Sequence, residues 1–359
     1  MSRDADIVVV GGGIVGAATA RALAGTVATV VLVERFELGH PHGSSHGTSR
    51  IFRLNYPDER FVRLASAASA GWRELEAECG QALIQRMGSL DIGPVALETA
   101  RALASCGVSF QTLDANDVRS RWPLRLDAHE TAVFQEEGGI VFADRAHAAF
   151  VSLAAKHGVD VRESSPVRAL ALERQAVRVT LDAGDLTARA VVVAAGAWAP
   201  LLLADVGIDL AVVPTRETVV YLDLPGAGSL PSVIDYARTP RQGTAGIARV
   251  GQAAYALAAP GHGLKAGLHH SGPVTDPEDA EAADDGVAEW VTAWASSRYD
   301  GVGDTRARET CLYTNTADEG FVLERHGRVV VGSACSGHGF KFAPVVGRTL
   351  AELAREAMA

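Results

Sequence analysis

The chain has no run of lysine or arginine. Its 43 acidic residues outnumber its 33 basic ones, and the net charge is −10. Nucleic-acid binding needs clustered positive charge, so this balance argues against nucleic acid as a partner. No apolar stretch is long enough to cross a bilayer, which argues against a membrane. The opening MSRDADIVVV carries an acidic pair before a short apolar run and no cleavage site, so it reads as a strand rather than a signal peptide. Cysteines are few. Cys79, Cys106, Cys311 and Cys335 form neither a CxxC pair nor a disulfide framework, which points to a reducing, cytoplasmic setting. Internal repeats and low-complexity tails are also missing.

What is present is a chain of 359 residues, 48% hydrophobic and 21% charged, which is normal for a soluble enzyme. That length exceeds one small core, and two intergrown domains are the natural arrangement. Residues 6–10 (DIVVV) form a buried strand. The turn GGGIVG and a small-residue helix follow, and then a second strand, ATVVLVE, ending on Glu34. Gly11, Gly13 and Gly16 have the GxGxxG spacing of a dinucleotide turn. The first permits the tight turn, the second lets backbone approach a pyrophosphate, and the third lets helix pack on strand. Glu34 stands where a carboxylate accepts hydrogen bonds from ribose hydroxyls. This unit does not choose between NAD and FAD.

The stretch 38–50, LGHPHGSSHGTSR, reads as a loop. Arg50 and Arg53, three apart, have the means to grip an anion bidentately, against the plain alternative of surface charge. His40, His42 and His46 share this loop, but no Cys or carboxylate lies nearby to complete a metal site, and no metal is expected. Helical spacing covers 59–78 and 144–158, and residues 87–142 alternate short strands with short helices. Segments 211–222 and 263–269 read as strands of a second sheet. Lys265 is set in the second of these, where a buried lysine is costly unless paired or functional. Near the C-terminus a buried strand, 329–334, leads into CSGHGFKF and a closing helix from about Pro344 to Ala357. The glycines of that turn, Gly339 among them, together with Lys341, would stabilise negative charge placed there. Cys311, in CLYTNTADEGF, is by itself as readily an inert core residue as a reactive one.

Taken together, GGGIVG, GSSHGTSRIFR, CLYTNTADEGF and SGHGFKF resemble the monomeric sarcosine oxidase and N-methyltryptophan oxidase family of flavin amine oxidases, nearly end to end. The resemblance implies an α/β fold in which a Rossmann-like FAD-binding domain (1–85, 146–212 and 320–359) interleaves with a mixed-sheet α+β substrate domain (86–145 and 213–319). It implies FAD as the cofactor, joined covalently through Cys311. Arg53 and Lys341 match the clamp for a substrate carboxylate. His46 and Arg50 match residues close to the flavin ring, and Lys265 matches an oxygen-activating lysine. His269 and Tyr313 match pocket residues, and Tyr255 matches another across a one-residue gap. The implied activity is oxidation of a secondary amino acid, N-methylated or cyclic, by a monomer, with oxygen as acceptor and an imine and hydrogen peroxide as products. The alternatives are a primary amino acid such as glycine or a D-amino acid as substrate, a dehydrogenase with another acceptor, and a flavoprotein kept only for binding. Ser45 stands where relatives carry a histidine, and the segment Pro225–Leu264 fits the family pattern poorly.

Overall fold

A computed structural model describes residues 4–239 and 252–359. Part of the poorly fitting segment, 240–251, therefore lies outside the described residues.

The strand Ala5–Val10 is apolar on both faces, so it must be covered on both. It lies between the parallel strands Val30–Val33 and Gly184–Val193. Gly184–Val193 is long enough to serve two partners on its other edge. Its first half pairs with the antiparallel strand Val177–Leu181, and Val191–Val193 pair in parallel with Val329–Val331. Val167–Leu172, Asp160–Arg162 and Val322–His326 complete an eight-stranded sheet. The helices Ile14–Leu23, Ala143–Lys156 and Ala343–Ala357 cover one of its faces in a shared apolar cluster.

A second eight-stranded sheet runs in the order Thr305–Asn315, Val213–Leu222, Gly263–Leu268, Ala254–Ala259, Ser232–Asp235, Ser89–Ile92, Ala132–Gln135 and Gln111–Leu113. Helix Asp285–Arg298 packs on it. Arg298, fully buried on that helix, is neutralised by Asp235 (2.7 Å) and Glu130, so its charge costs little to bury there. A small third sheet, Ser49–Phe52, Gly139–Phe142 and Ile84–Arg86, adjoins both cores.

The expected elements are present, with several boundaries moved by one or two residues. Ser49 and Arg50, read as the end of a loop, begin the strand Ser49–Phe52, because they pair with Phe142 and Val141. The helix expected over 59–78 is Glu59–Cys79. Asp58 caps its start by accepting from Arg60 N (2.8 Å), and Gly80, at φ 69°, ends it. The same helix reaches the far end of the chain, where Trp72 Nε1 donates to the Lys341 carbonyl at 2.7 Å.

The closing helix Ala343–Ala357 docks on the first helix through a glycine. A Cβ on Gly347 would lie 2.6 Å from the backbone of Ala18, so only hydrogen fits there. Gly347→Ala is expected to lower unfolding free energy by about 1–3 kcal/mol, the usual cost of overpacking. A urea melt monitored by tryptophan fluorescence measures it; an unchanged midpoint would show that the helices separate freely.

Candidate active site

The carboxyl ends of the parallel strands converge on one place, as open α/β sheets require of a ligand crevice. Gly11, Glu34, Ala194 and Ala334 each follow such a strand, and all four line a single cavity of about 1120 Å³. That exceeds the range of about 300–1,000 Å³ for ordinary small-molecule clefts, so the ligand is large or there are two. The second sheet supplies the facing wall with Tyr255, Lys265, Cys311 and Tyr313.

At the N-terminal turn, each glycine has a steric reason. A Cβ on Gly11, which has φ +102°, would meet Ala194 O at 2.5 Å, and one on Gly16 would meet Gly11 O at 1.8 Å. Gly13 caps the helix without a side chain, and the orphan amide of Ile14 is met by Ser45 Oγ at 2.9 Å. Glu34 is buried and accepts from Gly12 N (2.6 Å) and Phe36 N (2.9 Å). Burial pushes its carboxyl up, but the contact with His40 and these two amides outweigh burial and hold it below the usual range. The carboxylate keeps lone pairs for a ribose. His147 supports the turn from behind, its Nε2 lying 2.6 Å from Gly12 O. The glycine cradle, the anion-favouring helix start and the acid beyond it suit an adenine dinucleotide.

The middle of the cavity holds Arg50, His46 and Lys265. Arg50 and Arg53 do not act as a pair. Both line the cavity, but their hydrogen-bond partners are disjoint. The Arg50 guanidinium donates to the carbonyls of Ser44, His46 and Ser49 and so fixes its own loop. Gly47, at φ +100°, lets this loop come close: a Cβ there would sit 3.4 Å from Arg50 and 3.7 Å from Lys265 Nζ. Burial, then the neighbouring Arg50, brings Lys265 down to about 7. Burial, Arg50 and Lys265 likewise bring His46 down to about 4, so its ring is neutral. Cys311 faces Glu217 across the strand pair and lines the cavity. The other cavity thiol, Cys335, accepts from Thr314 N at 3.4 Å, and burial pushes it up.

At the far end, Arg53 and Lys341 meet on one ring. Arg53 lies 4.3 Å above the centroid of Tyr56, and Lys341 Nζ donates to the Tyr56 hydroxyl (2.9 Å) and to His338 O (2.6 Å). Burial and then Arg53 hold Lys341 far below the ordinary lysine range. Arg53 also donates to Asp91 (3.1 Å), which is fully buried and accepts from Asn55 too. Desolvation raises the Asp91 carboxyl to about 6 against the pull of Arg53. Beside this group, His269 Nδ1 lies 3.4 Å from the Tyr313 hydroxyl, and burial, reinforced by His270, pushes His269 well below its usual value. Gly337 and Gly339 permit the packing: a Cβ on Gly337 would lie 2.2 Å from the Tyr313 ring, and one on Gly339 1.7 Å from Ala334 O. Tyr255 lies over Gly267 in the same wall.

A family model described as FAD dependent oxidoreductase matches residues 6–353. The chain belongs to that family. Monomeric sarcosine oxidase from Streptomyces avermitilis is 32% identical to it, over 99% of this chain and 94% of the relative. Peroxisomal sarcosine oxidase from Homo sapiens is 31% identical over 97% and 91%. N-methyl-L-tryptophan oxidase from Yersinia pestis is 28% identical over 98% and 95%. Among solved structures, NikD, an unusual amino acid oxidase essential for nikkomycin biosynthesis, superposes with a TM-score of 0.86. It is 27% identical, and the match covers 99% of this chain and 95% of NikD. The cofactor type left open by the N-terminal turn is thus FAD, and the α/β fold is that of the FAD dependent oxidoreductases.

Sequence reasoning missed Tyr56, Asp91 and His147. Asp91 stands in the apolar strand Ser89–Ile92, where an acid is costly, and that cost was the one signal available. The expectation of no metal met one qualification. Among the described residues, His269, His270 and Glu319 bring three metal-type donors within 4.8 Å of one another. His40, in turn, has a carboxylate partner, Glu34 at 3.4 Å, that its local sequence did not show.

Asp91→Ala would leave Arg53 buried without its counter-charge, at a cost of about 3–5 kcal/mol of stability. Asp91→Asn, which keeps an acceptor, should lose less. Denaturant titration of both variants checks this; equal losses would mean that packing, not charge, sets the value of Asp91.

Proposed function

We propose that this FAD dependent oxidoreductase oxidises a secondary amino acid, N-methylated or cyclic, and passes the electrons to oxygen, giving an imine and hydrogen peroxide. The observation that carries the reading is the Arg53–Tyr56–Lys341 group, a buried cationic end in the same cavity as the dinucleotide turn and Lys265. The likeness to sarcosine and N-methyl-L-tryptophan oxidases supports it.

FAD, when bound, supplies the acceptor for two electrons from the substrate C–H bond. The chain supplies binding, orientation and charge. A substrate carboxylate fits against Lys341 and the part of the Arg53 fork that Asp91 leaves open. Among the described residues no carboxylate pairs with Lys341, so an arriving carboxylate favours its cation. The tyrosines Tyr255 and Tyr313 wall the substrate and exclude water. His269, held neutral, has an imidazole nitrogen free to take the proton of a substrate ammonium. Lys265, beyond the ring of Tyr221 (5.6 Å), supplies positive charge where reduced oxygen develops negative charge.

Cys311 is the thiol we assign to a covalent link with FAD, since Cys335 is already engaged by Thr314 N. The strands of the first sheet fall within 1–85, 146–212 and 320–359, and those of the second within 86–145 and 213–319. We assign the FAD-binding and substrate domains accordingly. No helix among the described residues is long and apolar enough to cross a membrane. We read the protein as a cytoplasmic monomer.

A peroxide assay across N-methyl, cyclic and primary amino acids tests the activity. Release only with primary amino acids would overturn the substrate class, and bleaching without oxygen uptake would make the protein a dehydrogenase. Acid precipitation should leave the yellow colour on wild-type protein and on Cys335→Ala, and release it from Cys311→Ala. Lys265→Met should slow the oxygen half-reaction by about 10²–10³-fold, the usual cost of losing one electrostatic stabiliser, with much less effect on the anaerobic half-reaction. The lysine cation prevails below about pH 7 and is lost above it. The oxygen half-reaction should therefore fall as pH rises through that value in wild type, and not in Lys265→Met.

A further inference from the structure

We propose that His269, His270 and Glu319 form a binding site for one divalent transition-metal ion of the zinc class where the cavity meets solvent, and that the ion bars entry of the substrate. One donor atom from each residue lies within 4.8 Å of the others. His269 and Glu319 line the cavity, while the Glu319 side chain is 54% exposed. A tetrahedral zinc with bonds of about 2.0–2.2 Å holds its donors roughly 3.4 Å apart. The 3.2 Å between His270 Nε2 and Glu319 Oε1 is already close to that spacing.

The donors are held by groups around them, as metal ligands commonly are. His269 uses Nδ1 toward the Tyr313 hydroxyl (3.4 Å), which leaves Nε2 for an ion. Its backbone is fixed by a bond to Ala253 O (2.9 Å). The carbonyl of His270 accepts from Gln252 Nε2 (3.1 Å), and the carbonyl of Glu319 lies 2.9 Å from His338 Nε2. His270 and Glu319 both have left-handed backbone, φ +55° and +58°, unusual for residues with side chains. His270 Nε2 is shielded from water and lies 3.2 Å from Glu319 Oε1. The site thus sets an imidazole nitrogen and a carboxylate oxygen close to the spacing of two zinc ligands.

The donor set selects the ion. Two imidazoles and one carboxylate suit zinc, cobalt, nickel or copper, and not the oxygen-seeking calcium or magnesium. His269, Tyr313 and Lys341 line the same cavity. An ion held by His269 takes the imidazole that a substrate ammonium would meet, so inhibition is competitive with the substrate. This second half rests on the substrate entering this cavity, as proposed above; binding of the ion does not.

The test is calorimetric titration of zinc chloride into the FAD-loaded protein. One ion per chain is expected for wild type, with affinity at least tenfold weaker in His270→Ala and in Glu319→Gln and no response to magnesium. Glu319 is on the surface, so Glu319→Gln keeps the test valid should His270→Ala fail to fold. In the peroxide assay zinc should raise KM without lowering kcat, and EDTA should restore it. Absence of binding, or equal binding by wild type and both variants, would overturn the site. Site-dependent binding with unchanged KM would overturn the inhibition.

Discussion

The cavity depends on keeping cations out of water without cancelling them. A buried ammonium or guanidinium is tolerated only with a counter-charge, hydrogen bonds or a lowered pKa, and the three cations Arg53, Lys341 and Lys265 combine these remedies differently. Arg53 has Asp91 behind it. Lys341 has the neutral acceptors Tyr56 Oη and His338 O. Lys265 has no hydrogen-bond acceptor among the described residues, only the face of Tyr221, and burial brings it down to about 7. The order has a functional sense. The most fully compensated cation stays charged and fixes position, while the less compensated ones respond to a charge that arrives.

This constraint reaches back into the fold. Lys341 belongs to a short turn between a buried strand and the closing helix, and Trp72, on a helix from the other end of the chain, holds its carbonyl. The closing helix in turn rests on the helix that begins at the dinucleotide turn, with Gly347 against Ala18. The cationic end and the adenine end of the cavity are thus carried by two helices in direct contact. A shift at one end is transmitted as a rigid displacement, because a packed helix pair has little freedom to absorb it.

Legibility in the sequence followed the range of the interaction. The βαβ unit was readable because strand, turn and helix are contiguous and each glycine has a local steric duty. So were the helix Glu59–Cys79, with Asp58 and Gly80 at its ends, and the buried strands around Val8, Val192 and Val330. Arg50 and Arg53 show the limit of local reading. Spacing alone suggested one anion clamp, but one donates to its own loop and the other to Asp91. Tyr56, Asp91 and the His270–Glu319 contact depend on partners supplied by distant segments, and no local pattern marks them.

Asp91 shows how such a residue sets the charge of a site. Arg53 alone would present a full positive charge to the cavity, and with Lys341 it would favour a dianionic ligand. A carboxylate at 3.1 Å offsets that charge from the protein side. The net demand on the substrate falls toward a single negative charge, and the guanidinium acts more by its geometry than by its field. The same aspartate holds the fork in one orientation, with Asn55 on its other oxygen. It thereby reduces the freedom that Arg53 loses when a substrate binds. If Arg53 and Lys341 hold a substrate carboxylate as proposed, selectivity for a monocarboxylate follows from a residue that lies behind the clamp rather than in it.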